Sequence, residues 1–215
     1  MRSEDIKYVI IQAGGKGIRM GRYAENKPKC LVPVKGIPMI MNTIEKYKNK
    51  EIIIIADYKA DVLEAYLTNF CKYKFNVCQT TEQGTAGGLT KVIDSIPDDE
   101  PFILTWADLF FEETPEFEFN KDLLVGLSNT FKCRWKLENN KFVNEASTEV
   151  GVAGFFAFKN KERFDKLSIS KSLVRGFLSE NYKDNEIDCF TLSNCFEVGE
   201  VDKYESILVN ELNHR

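Results

Sequence analysis

Four short apolar runs in the first half of the chain constrain its fold more than any other feature of the sequence. They lie at residues 7–12 (KYVIIQ), 51–56 (EIIIIA), 75–78 (FNVC) and 101–106 (PFILTW). The run at 7–12 is typical of a buried strand, the continuous run at 51–56 is typical of a strand that is covered on both faces, and the other two also predict strands. Between them, apolar residues at helical spacing predict helices that begin near Pro38, cover 59–71 and cover 85–96. This alternation predicts a parallel sheet with helices on both faces.

The second half of the chain carries shorter and less regular segments. Its β-branched and aromatic runs predict strands at 123–127, 133–137, 141–143, 150–158, 188–192 and 195–198. The ENN at 138–140 predicts a hairpin turn, 160–181 predicts two helices, and 201–212 predicts a last helix with one apolar face. Because the sequence contains no internal repeat, low-complexity tract or clear linker, we expect a single mixed α/β domain over residues 1–215.

Charge and hydropathy exclude several classes of partner. The net charge is -4 and no basic face is evident, which argues against nucleic-acid binding. No apolar run approaches the ~18 residues that a membrane span needs. The opening MRSEDIKYVI lacks the apolar stretch of a signal peptide, so we expect a cytoplasmic protein.

Histidine and cysteine usage limits the available chemistry. The only histidine is His214, next to the C-terminus, which makes a catalytic triad, a Cys-His dyad or a histidine-rich zinc site implausible. Chemistry must therefore depend on carboxylates, Lys, Arg and backbone amides. The six cysteines include no C-x-x-C pair, so we expect reduced thiols that serve mostly as small core residues. Cys30 is the exception to watch, because it follows Lys29.

A glycine-rich loop, AGGKG at 13–17, follows the first predicted strand. At the carboxyl end of a strand in an α/β sheet, free backbone N–H groups can ring an anionic oxygen, and Lys16 and Arg19 add positive charge. The loop is therefore a candidate phosphate cradle, the alternative being a charged turn. It is not a dinucleotide fingerprint, because Met20 stands where glycine is needed, and not a P-loop, because Lys16 precedes Gly17.

Two segments together carry a resemblance to a known family. AGGKGIRM at 13–20 and PKCLVPVKGIPMI at 28–40 resemble the two-part signature of the nucleotidyltransferases that activate sugar phosphates. The resemblance covers most of the chain and is strongest over 8–112. It implies a Rossmann-like three-layer α/β/α sandwich with a mostly parallel mixed sheet. The nucleotide-binding half would cover about 1–112 and the acceptor-binding half about 113–215.

The same resemblance implies roles for the glycine loop and its neighbours. The backbone of the loop would hold a nucleoside triphosphate at Ala13, Gly14, Gly15, Lys16 and Gly17. Arg19 would neutralise the departing pyrophosphate and Lys29 would contact the reacting phosphates, so that both are implied catalytic residues. For Lys29 the alternative is a surface lysine beside a proline.

Two carboxylates are implied metal ligands. Asp108 follows the fourth apolar run, where the family carries an aspartate that coordinates Mg²⁺, and it is the third implied catalytic residue. Family members often carry D-x-G-T before the last helix, and here Glu197 occupies that place with a longer side chain. Mg²⁺ is the cofactor that the resemblance implies, held by Asp108 and Glu197.

Contacts to the base and to the acceptor are implied less directly. EQGTA at 82–86 resembles the family's Q-x-G-T-G-x-A segment, which implies base contacts from Gln83, Gly84 and Thr85, although Thr85 could instead cap a helix. Glu145 and Gly154 match acceptor-side positions. Val152 stands where familiar members carry an asparagine, which favours an unusual sugar phosphate or a small alcohol phosphate as acceptor.

The implied reaction joins a nucleoside triphosphate, with CTP or UTP favoured, to a small phosphorylated acceptor and releases pyrophosphate. The product would be an NDP-activated precursor for surface glycan or polymer synthesis. Three alternatives remain: a molybdopterin guanylyltransferase-like enzyme, which Gly21 fits, a non-catalytic nucleotide-binding module, and a nicotinamide dehydrogenase, which Met20 weakens. No hexapeptide repeat follows the last helix, so we expect no second acyltransferase activity. The oligomeric state stays open.

Overall fold

The computed structural model describes residues 1–81, 84–164 and 172–213, apart from the side chains of 184 and 210–213. The strands are β1 Tyr8–Gln12, β2 Pro33–Val34, β3 Ile37–Pro38, β4 Glu51–Ala56, β5 Asn76–Gln79, β6 Phe102–Trp106, β7 Leu109–Phe111, β8 Leu123–Ser128, β9 Lys136–Glu138, β10 Lys141–Val143, β11 Gly151–Phe158, β12 Ile187–Leu192 and β13 Cys195–Glu197. The α-helices are α1 Met39–Lys46, α2 Ala60–Phe70, α3 Gly84–Gly87, α4 Leu89–Val92, α5 Ser179–Asn181 and α6 Val201–Asn213. Within the described residues, no helix combines the length and apolar character that a membrane crossing requires.

One large mixed sheet organises the chain. Its strands run in the order β10-β9-β11-β6-β1-β4-β5, and β8 pairs with both β11 and β12. The four strands predicted in the first half, β1, β4, β5 and β6, pair in parallel. β11 joins them antiparallel to β6 and begins the part of the sheet that the second half of the chain forms. The structure therefore confirms the predicted Rossmann-like three-layer α/β/α class.

The core lies on both faces of this sheet, because successive residues of each strand point to opposite sides. Val9 and Ile11 of β1 pack into one cluster with residues of α1 and α2, whereas Ile10 packs into another with Leu89 of α4 and Phe177. All five of these side chains are buried. Helices therefore cover both faces, as the strand–helix alternation predicts.

The helix predicted over 85–96 is not continuous. The chain forms α3, then α4, then a 3-10 turn at Ile93–Ser95. Gly88 separates α3 from α4 and lies against the sheet, where a Cβ would overlap Ile55 Cγ2 and come within 3.3 Å of Thr80 Cγ2. Close approach of the backbone to β4 explains the break.

Two predictions in the second half also need correction. The strand predicted at 133–137 begins only at Lys136, and Cys133 instead makes an isolated bridge with Ser147. In place of two regular helices over 160–181, the described residues form a π-helix at Leu173–Leu178 that runs into the short α5, while 165–171 lie outside the described residues. The predicted hairpin turn is confirmed, with Asn139 and Asn140 at φ 49° and 57°, as a two-residue turn requires.

Candidate active site

The candidate site forms where β1 and β6 end side by side. Gln12, the last residue of β1, pairs in register with Trp106, the last residue of β6. The Ala107 N–H donates to the Gln12 carbonyl oxygen at 3.0 Å, which carries the alignment one residue further. The glycine loop after β1 and Asp108 after β6 therefore meet at one edge of the sheet, where α/β proteins bind ligands.

The glycine loop is closely packed on one side and open on the other. Gly17 adopts a left-handed conformation at φ 66°, and a Cβ there would lie 3.0 Å from the Cβ atoms of both Ala24 and Lys29. At Gly15, by contrast, a Cβ would meet nothing within 4 Å. The Ala13 N–H donates to the Ile55 carbonyl oxygen at 2.8 Å and a Cβ at Gly14 would lie 3.1 Å from Asp57 Cβ, so that the open side of the loop is at Gly15.

Lys29 and Asp108 lie together although 79 residues separate them in the sequence. Lys29 belongs to a 3-10 turn, Lys29–Leu31, whose other two residues are buried and anchor it. Its Nζ donates to Asp108 Oδ2 at 2.5 Å, and the two side chains are only 18% and 12% exposed. The structure thus brings together two of the three implied catalytic residues.

Helix α1 fixes the segment that follows Asp108. The buried Asn42 amide donates to the Phe111 carbonyl oxygen at 3.0 Å and accepts from the Phe111 N–H at 2.9 Å. These two hydrogen bonds fix β7, which begins directly after Asp108. Because Asp108 lies between the end of β6 and the start of β7, they also hold Asp108 and its carboxylate at the edge of the sheet.

Glu197 reaches the same place from the far end of the chain. β13 pairs antiparallel with β7, with Glu197 opposite Leu109, and the Val198 N–H donates to the Asp108 carbonyl oxygen at 2.9 Å. A Cβ at Gly199 would overlap Glu197 Oε1 and lie 3.5 Å from Asp108 Oδ2. The two carboxylates therefore lie close to the same position in space. Burial and the nearby Asp108 charge raise the pKa of Glu197 above its ordinary value.

The donor set fits a hard divalent cation. Asp108 Oδ1 is buried and, among the described residues, has no hydrogen-bond partner, which leaves one carboxylate oxygen for a ligand. Mg²⁺ is commonly held by one or two carboxylates together with substrate phosphates. Because the described residues contain no cluster of three or more His, Cys, Asp or Glu, further ligands would come from substrate and water.

Arg19 lies at the rim of the site. It belongs to the 3-10 segment Ile18–Tyr23, directly after the glycine loop, and its guanidinium pairs with the Glu200 carboxylate just before α6. The Arg19 side chain is 68% exposed. The positive charge of Arg19 therefore faces solvent, beside the open stretch of the loop.

The segment implied in base binding, which includes Gly84 and Thr85, is hydrogen-bonded to Gln12 of β1, a residue that the sequence analysis did not identify. Gln12 Nε2 donates to the Thr85 carbonyl oxygen, and the Thr85 hydroxyl accepts from the Leu173 N–H at 2.9 Å. Thr85 lies inside α3, which begins at Gly84, so the helix-cap alternative for Thr85 is wrong. Gln83 lies outside the described residues.

On the acceptor side, Glu145 and Gly154 occupy different surroundings. Glu145 pairs with Lys136 at 3.1 Å and is 65% exposed. Gly154 lies in β11 at φ 88°, where a Cβ would overlap the six-membered ring of Trp106. Trp106 is only half-buried rather than a core residue, and its Nε1 has no partner among the described residues. Gly154 therefore leaves the space that the Trp106 ring occupies.

Gly154→Ala should lower the free energy of unfolding by about 2–4 kcal/mol, because the methyl group is strained at positive φ and overlaps the Trp106 ring. Urea unfolding measures the loss. Gly15→Ala is the matched control, since its methyl would enter open space, and it should change stability by less than about 0.5 kcal/mol. Equal stability of the two variants would contradict this role of Gly154.

Cys30, Cys133 and Cys195 are buried and free, as predicted for core thiols, whereas Cys71 and Cys78 are half-buried and Cys189 is exposed, so only half of the six cysteines are core residues. Burial raises the pKa of the Cys30 and Cys133 thiols to about 12. The Cys30 thiol beside Lys29 is therefore protonated and unreactive at neutral pH, because the thiolate is the nucleophilic form.

Comparisons with known proteins agree with this geometry. A family model described as the MobA-like NTP transferase domain matches residues 9–115. The bifunctional protein GlmU of Methanocaldococcus jannaschii is 34% identical over 116 residues, which cover 52% of this chain and 27% of that protein. The glucose-1-phosphate cytidylyltransferase of Salmonella typhimurium is 26% identical over 153 residues, which cover 57% of this chain and 60% of that protein. The chain thus spans only part of the curated relatives it matches.

Solved structures share the fold over nearly the whole chain. The CTP:phosphocholine cytidylyltransferase LicC from Streptococcus pneumoniae superposes with a TM-score of 0.77 at 20% identity, covering 96% of this chain and 100% of that one. HddC from Yersinia pseudotuberculosis superposes with a TM-score of 0.74 at 19% identity, with the same coverage of 96% and 100%. At these identities the likeness establishes the fold.

Proposed function

We propose, from the premise that this chain belongs to the sugar-phosphate nucleotidyltransferase family, that it transfers a nucleotidyl group from a nucleoside triphosphate to a phosphorylated acceptor. The observation that carries the proposal is the contact between Lys29 and Asp108 directly beside the open glycine loop. A lysine, a carboxylate and free backbone at the end of two parallel strands form the arrangement that phosphoryl chemistry needs.

In the proposed reaction, an oxygen of the acceptor phosphate attacks the α-phosphorus of the triphosphate. The new P–O bond forms as the bond between the α-phosphorus and its bridging oxygen breaks, and that oxygen leaves with pyrophosphate. The backbone from Gly14 to Gly17 holds the triphosphate, Lys29 lies against the reacting phosphates, and Arg19 faces the leaving group. Because positioning and charge neutralisation are the main demands, no histidine is needed.

We assign Asp108 and Glu197 as the residues that hold Mg²⁺. A bound Mg²⁺ would supply positive charge to the phosphoryl oxygens. The convergence of the two carboxylates and the unpartnered Asp108 Oδ1 support this assignment. The contact with Lys29 orients the Asp108 carboxylate at the edge of the sheet.

We propose CTP or UTP and a small phosphorylated acceptor as substrates. Relatives and structural neighbours named as cytidylyltransferases support a pyrimidine nucleotide. Gly84 and Thr85, with Gln83, remain our candidates for base contacts, and Glu145 for the acceptor. The product would be an NDP-activated precursor for surface glycan or polymer synthesis, made in the cytoplasm, where free thiols such as these persist.

A screen of pyrophosphate release tests the proposal. CTP, UTP, GTP, ATP and dTTP are each incubated with Mg²⁺ and a panel of sugar 1-phosphates and alcohol phosphates. We expect release with CTP or UTP and one acceptor class, and its loss in EDTA. Pyrophosphate release that persists in EDTA would contradict the proposed role of the metal. If no combination of nucleotide and acceptor released pyrophosphate, the proposed activity would be wrong and the non-catalytic nucleotide-binding module would be favoured.

A molybdopterin guanylyltransferase-like activity is the second candidate. It is favoured by the match to the MobA-like model over residues 9–115 and by Gly21 after Met20. Adding molybdopterin to the acceptor panel separates the two candidates, because this one predicts pyrophosphate release from GTP with molybdopterin and none with any sugar phosphate or alcohol phosphate.

A further inference from the structure

Lys203 is a charged residue of the site that neither the motifs nor the implied roles include. It lies in the first turn of α6, six residues after Glu197, and its Nζ contacts Glu197 Oε2. The ammonium also donates to the Lys132 carbonyl oxygen at 3.3 Å and lies 5.9 Å from the centre of the Phe131 ring. The Lys203 and Glu197 side chains are 27% and 13% exposed, so the pair is largely shielded from solvent.

Each carboxylate of the candidate metal site therefore has its own ammonium. Asp108 pairs with Lys29, and Glu197 pairs with Lys203. Lys203 is held from three sides by a carboxylate, a carbonyl oxygen and an aromatic face, which gives its ammonium a defined place in the absence of substrate. At short range and partial burial, such a positive charge strongly disfavours a second cation on the same carboxylate.

We propose that Lys203 is a positioning residue that serves as a built-in counter-ion of Glu197 and competes with the divalent cation for that carboxylate. It orients the Glu197 carboxylate. It also keeps the affinity for a free cation low, so that the metal is held firmly only when substrate phosphates add their negative charge. This inference rests on the proposed function, because it assigns the metal to Asp108 and Glu197.

Binding of Mn²⁺ in the absence of nucleotide tests this role, with the free ion measured by electron paramagnetic resonance. Lys203→Met keeps the apolar stem against Phe131 and removes the charge. It should bind Mn²⁺ about tenfold more tightly than the wild-type protein, because the competing cation is gone. Lys203→Arg restores the charge and should return the affinity towards the wild-type value.

Two further variants make the result specific. Lys161→Met removes a positive charge that pairs with Asp98 at 3.1 Å, before β6 begins and so at the opposite end of that strand from Asp108, and should leave Mn²⁺ affinity within about twofold of wild type. Asp108→Asn should abolish the binding. A purely structural tie between α6 and β13 predicts unchanged or weaker Mn²⁺ binding in Lys203→Met, and that result overturns the proposal.

The outcomes also separate this inference from the proposed function. If Asp108→Asn abolishes Mn²⁺ binding while Lys203→Met leaves it unchanged, the role of Lys203 fails and the metal site stands. If Asp108→Asn binds Mn²⁺ as well as the wild-type protein, the metal site and the role of Lys203 both fail. Thermal unfolding followed by circular dichroism identifies a variant that has lost its fold. If Lys203→Met does so, Lys203→Gln, which removes the charge but keeps polar contacts to Glu197 and the Lys132 carbonyl oxygen, takes its place and should also bind Mn²⁺ about tenfold more tightly.

Discussion

Asp108→Asn is expected to lower kcat by at least about 100-fold, the loss typical of a charge-stabilising group in an active site. The neutral amide has the shape of the carboxylate but can neither bind a divalent cation with the same strength nor pair with the Lys29 ammonium, 2.5 Å away in the native site. Pyrophosphate release at saturating substrates measures the loss. Thermal unfolding should show a folded protein that is less stable by about 1–3 kcal/mol, because Lys29 loses its partner.

Glu112→Gln is the matched control for that change. Glu112 follows β7, and its carboxylate pairs with Lys35 at the protein surface, with 37% of the side chain exposed. The same carboxylate-to-amide exchange there should leave kcat within about twofold of the wild-type value, since an exposed ion pair contributes little. Near-normal turnover in Asp108→Asn would contradict the assignment of Asp108 to the reaction.

Lys29→Met is expected to lower kcat by about 100-fold or more, with a smaller effect on the KM for the nucleoside triphosphate. Methionine keeps an unbranched stem against Gly17 and removes the charge that faces the reacting phosphates. A loss confined to kcat indicates an interaction made in the transition state, whereas a rise in KM alone indicates ground-state binding. Steady-state kinetics with the preferred nucleotide and acceptor separates the two.

The neighbouring Lys27 provides the control for Lys29. It lies two residues before Lys29, outside the 3-10 turn that places Lys29 against Asp108. Lys27→Met should therefore retain turnover within about threefold of wild type. If the two variants lose activity equally, the loss reflects the general charge of the loop, and the specific role of Lys29 is wrong.

Local patterns in the sequence were sufficient to predict the parallel part of the fold. β1, β4 and β6 are short apolar runs whose central residues are buried, as expected for strands covered on both faces, whereas β5 is an edge strand whose residues are half-buried or exposed. Because parallel strands place their carboxyl ends at one edge, the motifs that follow β1 and β6 had to meet. The contact between Lys29 and Asp108 is the consequence.

Features that depend on contacts between distant segments could not be predicted in the same way. Gly88 breaks the helix between α3 and α4 because Ile55 of β4 lies against it, and no local pattern contains that information. Gly154 matched a family position, yet the reason for a glycine there is the Trp106 ring of another strand. Lys203 is one of many lysines in the sequence, and only the pairing of β13 with β7 places it at the site.

The central claim is that the α-phosphorus of the nucleotide is transferred to the phosphate of an acceptor. Phosphorus-31 nuclear magnetic resonance of the complete reaction tests it most directly, with Mg²⁺, the preferred nucleotide and acceptor, and Asp108→Asn as the inactive reference. We predict equal amounts of pyrophosphate and of a new diphosphate that links nucleotide and acceptor, and neither product with the variant. Pyrophosphate accompanied by nucleoside monophosphate, with the acceptor unchanged, would contradict the account.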